Sequence, residues 1–306
     1  MPVSSCSTGN SVVTLCCSHE QTGDMTGSPT VRRRRLAAEL RKLRTSRGVT
    51  QQQAAEHLGC TQAKIGRFET AKRSPTVDDV TRLLDFYEVE EHVKPELLEL
   101  ARDARKRGWW QSYSDILPEW YETYVGLEAE ASALYTYELE AVPGLLQTEE
   151  YAYSITKETL IDASEDEIRR RAELRIRRQH RITGTEPLEL WAVVGETALR
   201  RRVGGASVLR SQLHHVLELA EYPNITVQVM PLEAGAHPAQ IGPFVILRYP
   251  ESVDPDIVYL ETHAGGLYLE SEKDLSNYNA MMDHLRKHAF DPRESLDVIR
   301  GRLGEL

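Results

Sequence analysis

Between Leu36 and Ala101 apolar residues recur every three or four positions, and polar residues fill the faces between them. Leu36, Leu40 and Leu43 fall at helical spacing in "RRRRLAAELRKLRTSRG", with Arg and Lys elsewhere, which predicts an amphipathic helix closed by Gly48. Thr50 caps a second helix over Gln51 to Leu58, Gly59 stops it, and Thr61 caps a third that runs to about Thr70. Ala55 is small enough for two helices to cross closely. Ile65 and Phe68 pin the third helix onto the first two. Together these positions predict a helix-turn-helix. Val77, Val80, Leu83, Leu84 and Tyr87 predict a fourth helix, and Leu97, Leu98 and Ala101 a fifth.

The pattern changes after the basic, Gly-broken joint in "ARKRGWWQSY". "YVGLEAEASALYTYE" reads as a helix. "AVPGLLQTEEYAYSITKETL", opened by Pro143 and capped near Thr148, reads as another, and "EDEIRRRAELRIRRQHRI" as a third. Strands follow in "LELWAVV", "ITVQVMPL", "PFVILRY", "DIVYLET" and "GLYLE", with "THAGG" as a hairpin turn between the last two. A helix, "ASVLRSQLHHVLELAEY", separates the first two strands, and two more close the chain. The expected fold is a mostly α, five-helix DNA-binding domain over residues 30–107 and an α+β domain over 108–306. Residues 1–29 are mostly Ser, Thr and Gly without apolar period, which predicts a disordered tail, with Met25 as a candidate start.

The chain has 306 residues and a net charge of −10, but the charge is divided. Residues 30–73 hold 12 Lys/Arg against 3 Asp/Glu, whereas residues 108–306 hold 19 against 33. One small basic module in an acidic chain points to a local polyanion contact. No run of 18 apolar residues exists, so no membrane-spanning segment is expected, and nothing resembles a signal peptide. Cys6, Cys16 and Cys17 lie in the tail and Cys60 stands alone, which fits a reducing cytoplasm rather than a disulfide framework or a zinc site.

The third helix must turn one stripe inward, and its other face is free for bases and phosphates. Thr61, Gln62, Ala63, Lys64 and Arg67 face outward. Gln62 suits adenine, Ala63 a thymine methyl group, and Lys64 and Arg67 guanine or phosphate. Gln51 opens the second helix, where side chain and backbone N–H can hold a phosphate, and Lys72 and Arg73 follow the recognition helix. A lone unit of this kind reads few base pairs, so a homodimer on two half-sites of double-stranded DNA is expected.

"GVTQQQAAEHLGCTQAKIGRFETAKRSPTVDDVTRLLDFYEV" resembles the XRE-type (Cro/repressor-like) helix-turn-helix domain in Thr50-Gln51, Leu58-Gly59, Ile65, Arg67, Glu69 and Ser74-Pro75. Where that family often has Gly and Ser, this chain has Ala71 and Gly66. "YVGLEAEA", "YELEAVPGLLQTEEYA", "WAVVGETALRRRVGG", "NITVQVMPLEAGAHP", "GPFVILRYP" and "IVYLETHAGGLYLE" resemble, in order, the C-terminal domain of the WhiJ-like regulators of filamentous actinobacteria. That family usually has "WAVVDEAAL" where Gly195 and Thr197 interrupt the pattern here. The resemblance implies an antitoxin-like transcription factor of the nucleoid whose C-terminal domain binds a small partner protein encoded nearby, or senses a signal.

No G-x-S-x-G, H-E-x-x-H, P-loop or dinucleotide fingerprint is present, so no catalytic residue, cofactor or metal is expected. His214 and Glu218 at i, i+4 are read as exposed helix residues, and His237 and His263 as loop histidines. The Arg-rich helix is read as i, i+4-paired and solvated. Trp109, Trp110, Trp120 and Trp191 are read chiefly as core. Three functions remain open: a regulator that binds a partner protein, the same regulator sensing a small molecule, and a DNA-tethered enzyme using His237 or Glu196.

Overall fold

A computed structural model describes residues 28–250 and 255–306. The expectations for Cys6, Cys16, Cys17, Met25 and the rest of the tail to residue 27 lie outside the described residues. Ser28 and Pro29, counted with the tail, instead open the first helix. Ser28 is its N-cap, with its hydroxyl accepting from the Thr30 N–H.

Five helices follow: α1 (Pro29–Ser46), α2 (Gln51–Leu58), α3 (Gln62–Glu69), α4 (Val77–Phe86) and α5 (Lys94–Asp103). Leu36 and Leu40 of α1, Ala55 of α2, and Ile65 and Phe68 of α3 are all buried in one core with Leu83 and Leu84 of α4. Thr50 and Gln53 form a capping box on α2, and Gly59 takes φ +66° to end it, as the spacing predicts.

The rest of the chain builds a six-stranded mixed sheet between helices. After a 3-10 turn at Trp109–Tyr113 come α6 (Glu119–Glu128), β1 (Ala133–Glu138), α7 (Glu149–Thr159), α8 (Glu165–Arg178) and the short α9 (His180–Thr183). β2 (Glu189–Gly195), α10 (Glu196–Arg200), α11 (Ala206–Leu219) and β3 (Ile225–Met230) lead to β4 (Phe244–Arg248), β5 (Ile257–Thr262) and β6 (Gly265–Leu269). α12 (Glu272–His288) and α13 (Pro292–Gly304) finish the domain. The strand order is β3-β2-β1-β4-β5-β6. β1, β2 and β3 run parallel, and β4, β5 and β6 each lie antiparallel to the strand before them in that order. Alternate strand residues face two cores. Leu134, Leu190 and Leu247 pack toward α8, α11 and α13, while Tyr137, Val193 and Ile246 pack toward α12. Among the described residues no helix is long and apolar enough to cross a membrane.

Two expectations are corrected. "YVGLEAEASALYTYE" is not one helix: α6 stops at Glu128, and Ala133–Glu138 is a central strand pairing with both β2 and β4. Its six residues fit either period, and pairing on both edges decides for the strand. The helix expected from Pro143 is a 3-10 turn at Gly144–Leu146 followed by α7, which Thr148 caps.

α1 belongs to both halves of the molecule. Val31 is buried in the core beneath α6, and Gly126 of α6 lies so close to Thr30 that a Cβ there would sit 2.6 Å from the Thr30 Cβ. The Ser28 N–H donates to Glu130, and Arg34 pairs with Glu270. The half-buried Arg33 has its pKa lowered by burial, an effect opposed by Glu119 and Glu122.

Candidate DNA-binding surface

α3 is held at a fixed tilt by charge as well as by its apolar stripe. Glu69, at its last turn, is buried and accepts from Arg44 Nε at 2.6 Å and Nη2 at 3.0 Å. Arg44 Nη1 also donates to the Val49 carbonyl at 2.6 Å, and Gln51 Nε2 donates to Glu69 Oε2 at 2.8 Å. One carboxylate thus ties α1, the start of α2 and the end of α3. The hydrogen bonds that Arg44 donates to Glu69 raise the Arg44 pKa against burial. Burial pushes the neighbouring Tyr87 hydroxyl up, and Glu69 adds to it.

The opposite end of α3 is free. Thr61 accepts from the Lys64 N–H as N-cap, and Thr61, Gln62, Ala63 and Arg67 are exposed on one surface. Lys64 is differently placed: its ammonium lies 3.1 Å from Asp79 and above the Phe68 ring. Asp79 also closes the Thr76 capping box of α4. Burial of Asp79 would raise its pKa, but the Thr76 N–H and Lys64 outweigh it and hold the carboxyl below its usual range. Lys64 therefore braces α3 against α4, and Gln51 braces α2 against α3. Of the eight expected contact residues, these two already have partners within the fold, whereas Lys72 and Arg73 are exposed past the helix.

Few of the basic charges are free. Seven of the twelve Lys/Arg in residues 30–73 stand in ion pairs, among them Arg32 with Asp103, Arg35 with Glu96 and Arg47 with Glu88. The run Arg32–Arg35 is spent on packing α1 against its neighbours. Arg41, Arg67, Lys72 and Arg73 are exposed and have no ion pair among the described residues. Arg41 is a residue that the sequence reading does not single out. With Lys42 and Thr45 it lines an open groove between α1 and the turn at Thr70-Ala71, facing the same side as the end of α3. Its place on α1 outside the Leu36, Leu40 and Leu43 stripe is the signal that could have found it.

Ala71 occupies φ +56°, a left-handed conformation that favours glycine. A Cβ added at Gly66 would lie 3.9 Å from the Gln51 side chain, an ordinary contact, so space alone does not demand glycine there.

The other residues weighed from the sequence lie apart from this surface. His214 and Glu218 are exposed on α11, and among the described residues no group of three or more His, Cys, Asp or Glu could hold a metal. His237 meets the Tyr137 hydroxyl at 3.2 Å, and burial, with His284 nearby, lowers its pKa. Glu196 is held by Arg200 and by the Leu232 N–H. The Arg-rich α8 is only partly i, i+4-paired: Arg169 and Arg171 reach Glu165 and Glu167, but Arg170 grips Asp115 and the buried Arg178 grips Glu128 through two bonds of 2.7 and 2.6 Å.

Residues 35–97 match the family described as Helix-turn-helix domain, and residues 121–301 match Domain of unknown function (DUF5753). No curated protein and no solved structure matches the chain.

Proposed function

This chain belongs to the DUF5753 family, a domain of unknown function, and carries a helix-turn-helix domain ahead of it; from that premise we propose a sequence-specific transcriptional regulator of the XRE type. The carrying observation is the capped, exposed first turn of α3, Thr61 to Ala63, braced from behind by Arg44, Glu69 and Asp79. A recognition helix needs that combination: free side chains at its N-terminus and a rigid back. The unpaired Arg41, Arg67, Lys72 and Arg73 flank it and supply phosphate contacts. Such a protein works in the cytoplasm on the nucleoid, as a homodimer on two half-sites. No role as an enzyme is proposed, because His237 and Glu196 lie on different elements with partners of their own.

The test is selection of duplexes from a random pool by the full chain, followed by footprinting. Two related half-sites about one helical turn apart are expected. No enrichment over random sequence would sink the DNA reading, and a strict monomer protecting one half-site would sink the dimer.

The C-terminal domain is proposed to receive the signal. Resemblance to WhiJ-like, antitoxin-like regulators supports a small partner protein, and exposed Leu232 and Ile241 between β3 and β4 offer apolar contact for one. The sensing of a small molecule is favoured by a different observation, a cavity of about 670 Å³ between α6, α8 and the sheet.

A further inference from the structure

The cavity opens where the parallel half of the sheet meets the antiparallel half. Glu138 ends β1 beside the start of β4, where Tyr137 pairs with Phe244, and β5 brings Tyr259 and Glu261 alongside. α6 supplies Trp120, Tyr121 and Tyr124 as the aromatic wall, and α8 supplies Arg171, Arg175 and Arg178.

The charges are unequally satisfied. Arg171 is paired with Glu167, and Arg178 with the buried Glu128. Arg175 donates to the Gln147 side chain. Glu261 accepts from the Tyr259 hydroxyl, and Glu138 has no hydrogen bond among the described residues. Setting the two internal pairs aside, two carboxyls face one guanidinium, so the lined space carries one negative charge in excess once Glu138 is ionised. Burial first, and Glu261 second, push the Glu138 carboxyl up to about 8, with Arg175 opposing. A carboxyl half-buried beside another, without a hydrogen bond, in an aromatic-walled space ionises only at a cost that a bound cation would relieve.

We infer that this cavity binds a small organic cation with an apolar body, its charge between Glu138 and Glu261 and its body against Trp120, Tyr121 and Tyr124. The volume suits a drug-sized molecule. Rings and carboxylates together favour an ammonium over a neutral or anionic analogue. This deepens the small-molecule reading of the C-terminal domain and rests on it for any effect on DNA. The route for such an effect is α6, whose one face lines the cavity while Gly126 and Glu122 on it meet Thr30 and Arg33 of α1.

The probe is benzyltrimethylammonium, whose charge does not vary with pH, titrated into the full chain by calorimetry beside benzyl alcohol and phenylacetate. The cation is expected to bind about tenfold more tightly than the alcohol. Glu138→Gln and Glu261→Gln should each lower its affinity by a similar factor. Binding should tighten as pH rises toward about 8 and level off above it, and this dependence should vanish in Glu138→Gln. His263 also lines the space. A pH dependence that persists in Glu138→Gln would point to the histidine and overturn the role of Glu138. Equal binding of the alcohol, tighter binding of phenylacetate, or affinity untouched by both variants would each overturn the cation site. Operator affinity is measured separately on the selected duplex: a probe that binds as stated but leaves it unchanged removes the sensing role and keeps the site. Absence of probe binding with intact DNA binding removes the site and keeps the regulator.

Discussion

Ala71 and Glu138 are single residues that the fold holds at a cost. Ala71 has a left-handed backbone at φ +56°, which a Cβ disfavours by about 1 kcal/mol. Ala71→Gly is therefore expected to stabilise the helix-turn-helix by roughly that amount in urea unfolding, and a loss of stability would show that the Cβ makes a compensating contact. Glu138 makes a prediction about pH. Its carboxyl, facing Glu261 from β5 and Arg175 from α8, titrates near 8 in the folded chain, above its range in the unfolded chain. Between those two values the folded state binds more protons, so stability contributed by this group falls as pH rises and levels off above about 8. Glu138→Gln removes that slope. Its advantage over the parent should be small in acid, grow through neutrality and stop growing above about 8, as read by denaturation at a series of pH values. An advantage constant with pH would contradict this.

Elements are held by a few shared groups, and α3 shows how. Glu69 serves Arg44 and Gln51 at once, so Glu69→Ala strands a buried guanidinium and should cost about 3–5 kcal/mol. Replacing Arg44 and Glu69 together by Met and Leu should recover much of that loss, which separates the burial penalty from the net value of the pair. α3 also separates reading from holding. Gln62→Ala should cost about 1–3 kcal/mol on the selected duplex, relax preference at one base pair and leave scrambled duplex binding nearly unchanged. Neutralising Lys72 or Arg73 should weaken all duplexes alike and lower the salt slope by about one unit. Equal weakening of both duplexes by Gln62→Ala would mean that the first turn of α3 does not read bases. The elements themselves were largely legible, because caps at Thr50 and Thr61 and stops at Gly59 are local chemistry. β1 was not legible, because "ALYTYE" carries too few residues for a period and its partners lie 55 or more positions away in β2 and β4.

In the whole molecule α1 is the shared part. Its first turn is packed under α6 and its remaining length carries the core of the helix-turn-helix. The two halves should therefore unfold in one transition rather than two. Gly126→Ala, whose Cβ would collide with Thr30 and crowd Trp110, should loosen α1 from α6 and split that transition, with the second half also losing some stability. A single transition in the variant at unchanged temperature would show that the contact yields without consequence.

The sequence by itself determined the helix-turn-helix and its caps, because those depend on local spacing. It also determined that the second half would mix helices and strands, since apolar periods change there. Which charges are free was decided only by the tertiary structure. Arg32 to Arg35 look like a polyanion contact in the chain, yet their carboxylate neighbours Asp103, Glu119, Glu270 and Glu96 come from distant elements. Lys64 and Gln51 were likewise claimed by Asp79 and Glu69. The cavity was invisible for the same reason. Trp120, Glu138 and Glu261 lie on one helix and two strands, and only sheet closure places them around one space.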